Sequence, residues 1–156
     1  MTTTKTIALK EAVISYRKTD ILPEYMMFWN KINNSTTSAQ LLRPYYGVNI
    51  DLREAFIVLM LNRANKPICV YVASVGGING TVADPKTIFQ SAILCGASGM
   101  ILSHNHPSGN TNPSESDKQL TKRFSEGGKL LDIAVLDHVI LTEEDFYSFA
   151  DNGVIF

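Results

Sequence analysis

Two histidines one residue apart, His104 and His106, and an aspartate a short loop further on, Asp117, are the residues of this chain whose types and spacing best suit metal chemistry. Pro107 biases His106 toward extended backbone angles, and in an extended chain residues i and i+2 project to the same side. The two imidazoles therefore aim at one point. The intervening loop carries Pro107, Gly109 and Pro113 and can turn the chain so that Asp117 returns to that point. Two imidazoles and a carboxylate suit zinc, and three protein ligands with a fourth position for water describe a catalytic site rather than a closed structural one. A plainer reading competes: His-x-His in a loop also occurs as polar surface, and Ser114-Glu115-Ser116-Asp117 has the pattern of a capping box, with Ser114 as N-cap and Asp117 at N3. The two readings are compatible, because an Asp held in a first helical turn can present its carboxylate to a metal.

The elements that must position these residues are legible on either side. Gly99-Met100-Ile101-Leu102 is an apolar run that reads as a buried strand ending at the histidines, and Lys118 to Leu131 is amphipathic and reads as a helix. A strand, His-x-His at its end, a Pro/Gly loop and Ser-x-x-Asp opening a helix together favour the metal site over plain surface.

The full spacing, His104-x-His106, seven residues, Ser114, two residues and Asp117, resembles the JAB/MPN (JAMM) metalloprotease motif, and Ser103–Gly109 with Pro113-Ser114-x-x-Asp117 is similar to its RadC branch. The resemblance covers roughly Leu52 to Phe156. It implies that His104, His106 and Asp117 bind zinc, that Ser114 helps position or stabilise the oxyanion of a tetrahedral intermediate, and that an earlier strand supplies a glutamate. The matching position is Glu54 in Arg53-Glu54-Ala55-Phe56, which nothing in its own surroundings singles out from other acidic residues. The implied fold is α/β, a mixed central sheet flanked by helices in a cytidine-deaminase-like arrangement. The implied reaction is hydrolysis of a peptide or isopeptide bond by a metal-activated water. RadC-like proteins commonly carry a helix-hairpin-helix region before this domain, and the first residues here do not look like one.

The bulk of the chain constrains the alternatives. At 156 residues, 45% hydrophobic and 19% charged, it has the size and composition of one globular domain. The division expected is an N-terminal extension, 1–34, packing on a domain of 35–156. A net charge of −1 supplies no overall basic field for nucleic acid, although a local patch is compatible with it. Cys69 and Cys95 are too few for a disulfide scaffold and fit a reduced setting. Lys10 and Glu11 interrupt the first apolar stretch, so no signal peptide is expected, and no apolar run approaches the roughly 20 residues of a membrane span. These features predict a soluble cytoplasmic protein, and the resemblance implies a peptide or protein substrate. A DNA-repair-associated DNA-binding factor and a non-catalytic JAB scaffold are the alternatives. A zinc nucleobase deaminase is excluded by the lack of His-x-Glu and Pro-Cys-x-x-Cys.

The remaining elements follow in chain order. Ile7–Tyr16 partly alternates and predicts a strand, and Tyr25–Trp29 predicts packing. Asn33–Ser38 is a polar break, with Thr37 or Ser38 capping a short helix that ends near Pro44. Glu54–Leu61 is the clearest strand, apolar on both faces beyond its first residue, hence central in a covered sheet. Asn62–Lys66 turns into a second strand, Ile68–Val75, as an antiparallel hairpin. Gly76–Thr81 lacks the endings of a phosphate loop and reads as a connection. Asp84-Pro85 opens a helix that stops at Gly96, with Cys95 in the core. The charges Lys118, Lys122, Arg123 and Lys129 read as a solvated helix face. Ile133–Leu141 predicts another strand, in which His138 is either a fourth ligand or, given its apolar surroundings, a hydrogen-bonded structural histidine. The chain end, Phe146–Phe149 and Val154–Phe156, is expected to pack back onto the sheet.

Overall fold

Alternation within one short segment explains the layering. In the computed structural model, which describes residues 31–76 and 83–155, Ala55–Leu61 forms β1. Ala55, Ile57, Leu59 and Leu61 enter one core, whereas Phe56, Val58 and Met60 enter a second on the opposite face. A strand buried on both faces must be sandwiched, and helices cover it on either side. Helix α1, Ser35–Tyr46, lies on the first face; α2, Pro85–Leu94, and α3, Glu115–Leu130, lie on the second.

The sheet has five strands in the order β2-β1-β3-β4-β5, where β2 is Pro67–Val75, β3 Gly99–Asn105, β4 Ala134–Leu141 and β5 Phe146–Ser148. β1 pairs antiparallel with both β2 and β3, β3 pairs parallel with β4, and β5 returns antiparallel to β4. The parallel pair is joined through α3, the crossover such a pair requires. The sheet is therefore mixed and flanked by helices, as the residue pattern and the resemblance predicted. Asp84 caps α2 through the amide of Lys86, Pro85 stands in its first turn, and Gly96 follows the helix with φ +66°. Cys95 is half-buried against the core, next to Cys69, and both thiols are free. Phe149 is buried, and Ile155 packs on the α2/α3 side.

Helix α1 corrects the sequence expectation at its start. Its N-cap is Asn34, whose Oδ1 accepts from the amide of Thr37 at 2.7 Å, not Thr37 or Ser38. A run of Ser, Thr and Asn offers several equivalent caps, and burial of Ser35, Ser38, Ala39, Leu41 and Leu42 selects the earliest start. The helix also runs through Pro44 to Tyr46, whose hydroxyl lies 2.8 Å from Ser103 Oγ beneath the sheet. The strand expected at Ile7–Tyr16, the packing expected of Tyr25–Trp29, the body of the 1–34 extension, most of the Gly76–Thr81 connection and Phe156 lie outside the described residues. Ile32, just ahead of α1, is buried in the core and its amide donates to Asn65 O at 2.8 Å. Among the described residues no helix is long and apolar enough to cross a membrane.

One close approach fixes α3 against the sheet. A Cβ added to Gly128 would meet the carbonyl oxygen of Ile133 at 2.2 Å, so the helix end and the entrance to β4 touch through bare backbone. Gly128→Ala is therefore expected to destabilise the fold by about 1–3 kcal/mol, the usual range for overpacking. At about 2–4 °C per kcal/mol for a chain of this size, thermal melts read this directly. An unchanged melting temperature would show that the close approach is not maintained in solution.

Candidate metal centre

Antiparallel register brings the residues together. Phe56 of β1 faces His104 of β3, so Glu54, two residues before Phe56, stands level with His106, two residues after His104. The entrance of β1 and the exit of β3 thus lie side by side at one end of the strands, and α3 begins beside it. His104 is buried and His106 half-buried, and their Nε2 atoms lie 2.9 Å apart. Asp117 Oδ1 lies 3.4 Å from His104 Nε2, and its Oδ2 lies 3.8 Å from His106 Nε2. One ligand atom from each of Glu54, His104 and His106 falls within 4.8 Å of the others. The projection of both imidazoles to one side is therefore as the extended His-x-His-Pro segment predicted.

Each residue is held by its neighbours. The capping box is formed as expected: Ser114 Oγ accepts from the Asp117 amide at 3.1 Å, and Asp117 Oδ2 accepts from the Ser114 amide at 2.7 Å. Ser114 Oγ also donates to Asp117 Oδ2 at 2.6 Å and lies 2.8 Å from Ser116 Oγ. Oδ2 is thus occupied by the cap, while Oδ1 is turned to His104. His106 Nδ1 lies 2.6 Å from Asn110 O, and since a carbonyl only accepts, that nitrogen carries a proton, which in the neutral ring makes Nε2 the lone-pair atom. A pair of imidazole nitrogens and a carboxylate, facing one another so closely, are electron-rich and call for a cation between them. Ligand atoms around a tetrahedral ion with bonds of about 2.0–2.1 Å are about 3.3 Å apart. The spacings here, 2.9, 3.4 and 3.8 Å, bracket that value, so the donor set fits a divalent ion.

The carboxylate of Glu54 differs from that of Asp117. Burial pushes its pKa up, His106 acts against this and Asp117 adds to it. A carboxylate in such surroundings is a better proton acceptor at neutral pH than a solvated one. Burial also lowers the pKa of His104 to about 4, with Asp117 opposing and His106 reinforcing the shift, so its ring is neutral and able to ligate.

Two further residues complete the centre, and sequence reasoning assigned neither a partner. Asn105, between the histidines, is fully buried; its Oδ1 accepts from Ala55 N at 2.7 Å and its Nδ2 donates to Ile50 O at 2.6 Å and Arg53 O at 2.8 Å. It ties the segment bearing Glu54 to the strand bearing the histidines. Strand alternation already placed Asn105 opposite the two rings, but its acceptors are long-range. His138 is the hydrogen-bonded histidine that its apolar strand suggested. Its Nε2 lies 2.8 Å from His104 Nδ1 and its Nδ1 2.6 Å from Thr121 Oγ1.

Residues 32–154 match the RadC-like JAB domain family. The chain belongs to this family. Among curated relatives, the UPF0758 protein of Flavobacterium johnsoniae is 45% identical over 125 residues, covering 80% of this chain and 53% of the relative. The UPF0758 protein of Pasteurella multocida is 34% identical over 139 residues, covering 88% of this chain and 62% of the relative. That of Methanosarcina barkeri is 40% identical over 103 residues, covering 66% of this chain and 45% of the relative. The chain thus spans about half the length of the curated relatives it matches. In this RadC-like JAB domain the residues carried by the motif, Glu54, His104, His106, Ser114 and Asp117, all gather at the ends of β1 and β3.

Proposed function

We propose that this domain is a zinc-dependent hydrolase of peptide or isopeptide bonds, a JAMM-type metallopeptidase. The observation that carries the reading is the convergence of His104, His106 and Asp117 beside a carboxylate, Glu54, whose pKa is raised by burial. His104, His106 and Asp117 would hold the ion, and Glu54 would serve as proton acceptor. Zinc, when bound, supplies a Lewis acid and lowers the pKa of water toward about 7. Glu54 takes a proton from the attacking water and returns it to the leaving amine, which lets one carboxylate serve both halves of the reaction. Ser114 has a single hydroxyl proton, directed in this structure at Asp117 Oδ2. Its donation to an oxyanion would exchange that partner for the substrate oxygen. Asn105 keeps the entrance of β1 beside the histidines while substrate enters.

Elemental analysis of purified protein tests the metal. The expected result is near-stoichiometric zinc in the wild type and its loss in both His104→Ala and Asp117→Ala, with circular dichroism showing the variants folded. Wild-type protein that holds no metal and takes up no added zinc at neutral pH would sink the proposal.

A further inference from the structure

We infer that Thr121 and His138 form a positioning relay that fixes the tautomer and ring plane of His104, so that His104 Nε2 presents a lone pair to the metal centre. The zinc consequence of this inference rests on the hydrolase reading above; the tautomer itself does not.

The direction of the relay is set by a carbonyl. Thr121 stands one helical turn after Asp117 in α3, and its Oγ1 lies 2.6 Å from Asp117 O. A carbonyl oxygen only accepts, so the single hydroxyl proton of Thr121 is committed there. The 2.6 Å contact between Thr121 Oγ1 and His138 Nδ1 must then use a proton on His138 Nδ1. His138 is wholly inaccessible to solvent, with the ring of Phe149 stacked on it at 4.8 Å and Phe56 edge-on at 5.7 Å. A charged imidazolium in that sandwich would be uncompensated. His138 is therefore neutral, its one proton is on Nδ1, and Nε2 is an acceptor. The 2.8 Å contact from Nε2 to His104 Nδ1 consequently takes its proton from His104. His104 Nε2 is left bare, and it is this atom that faces His106 Nε2 and Asp117 Oδ1.

The relay is closed on itself. It begins at the backbone carbonyl of Asp117 and ends at a nitrogen 3.4 Å from the carboxylate of the same residue. Two of the groups proposed as ligands are thereby coupled through Thr121 and His138, neither of which is itself a proposed ligand. Ring planes are set at the same time, since Phe56 also stacks on His104 at 6.2 Å with an interplanar angle of 6°. Outer partners of this kind fix which nitrogen of a histidine can ligate, and losing them typically weakens metal binding about 10–100-fold.

Two measurements decide the matter. Long-range proton–nitrogen NMR of metal-free wild-type protein is expected to show His104 as the Nδ1–H tautomer with a bare Nε2. A proton on Nε2 would overturn the inference whether or not zinc binds. Competition with a chromophoric zinc chelator is expected to show Thr121→Val weakened about 10–100-fold, with His104 split between tautomers and with Thr121→Ser restored to wild-type behaviour. A folded Thr121→Val protein that keeps both the wild-type tautomer and the wild-type zinc affinity would overturn it. If Thr121→Val does not fold, the wild-type spectrum still gives the answer. Wild-type protein that shows the predicted tautomer but no zinc uptake would remove the hydrolase reading and leave the relay standing.

Discussion

Glu54→Gln is expected to keep its zinc and to lose about two to four orders of magnitude in turnover, the usual contribution of a positioned proton-transfer group. The amide retains the size and polarity of the carboxylate but cannot accept the water proton. Glu54 is held through backbone contacts: Gly76 N donates to its carbonyl at 2.7 Å, and Asn105 ties down Arg53 and Ala55 on either side. None of these involves the side chain, so the substitution should leave the fold and the His104, His106 and Asp117 geometry in place. A mixture-based fluorogenic peptide library, assayed together with elemental analysis of both proteins, separates the possibilities. Zinc retained with activity lost supports Glu54 as the proton carrier. Zinc lost together with activity would instead make Glu54 a ligand, an outcome its proximity to both imidazoles makes meaningful. Activity retained at the wild-type rate would remove Glu54 from the mechanism.

How much of this centre could be read from the chain depends on the range of the interactions involved. The aim of His104 and His106 follows from two local rules, the effect of Pro107 and the alternation of an extended chain, and both hold in the structure. The capping box is equally local, four consecutive residues, and it forms as written. β1 was legible because its two apolar faces admit only a central position, and its residues do divide between two cores. Glu54 was not legible from its own surroundings, because its place is set by the register of β1 against β3, which pairs residues far apart in sequence. Only the resemblance pointed to it. The same applies to His138: its burial could be inferred from its strand, but its contacts with Thr121 and His104 require β4 to lie beside β3 and under α3. The start of α1 was misplaced for the opposite reason, since local rules offered several acceptable caps and only packing against the sheet selects Asn34.

Acidification should destabilise the metal-free protein well before its carboxylates reach their usual range. His104 titrates at about 4 in the folded state against 6.5 when solvated, because burial penalises its charge, and His138 is lowered for the same reason with both other histidines adding to the shift. Between these values the unfolded chain binds protons that the folded chain refuses. Stability therefore rises with pH across this window and is lost as pH falls from about 6.5 toward about 4. For His104 the displacement corresponds to at most about 3–4 kcal/mol, at about 1.4 kcal/mol per tenfold change in proton activity. Glu54 and Asp137, both raised by burial, act in the opposite sense, since the folded state takes up their protons more readily than the unfolded chain. Their folded values lie above the ordinary carboxylate range, so their opposing effect reaches up into the histidine window, and the histidine share is read by comparing wild type with a variant lacking His104 between about pH 6.5 and 5. Thermal melts of chelator-treated protein over that range should show a falling melting temperature, and His104→Asn should flatten the dependence by removing one of the two buried imidazoles. Added zinc should raise the whole curve, because binding to the folded state alone stabilises it by mass action. A pH dependence between about pH 7 and 5 that is the same in wild type and in His104→Asn would mean that His104 is charged or solvated in the folded protein, which would remove the burial on which its neutral, ligand-ready form depends.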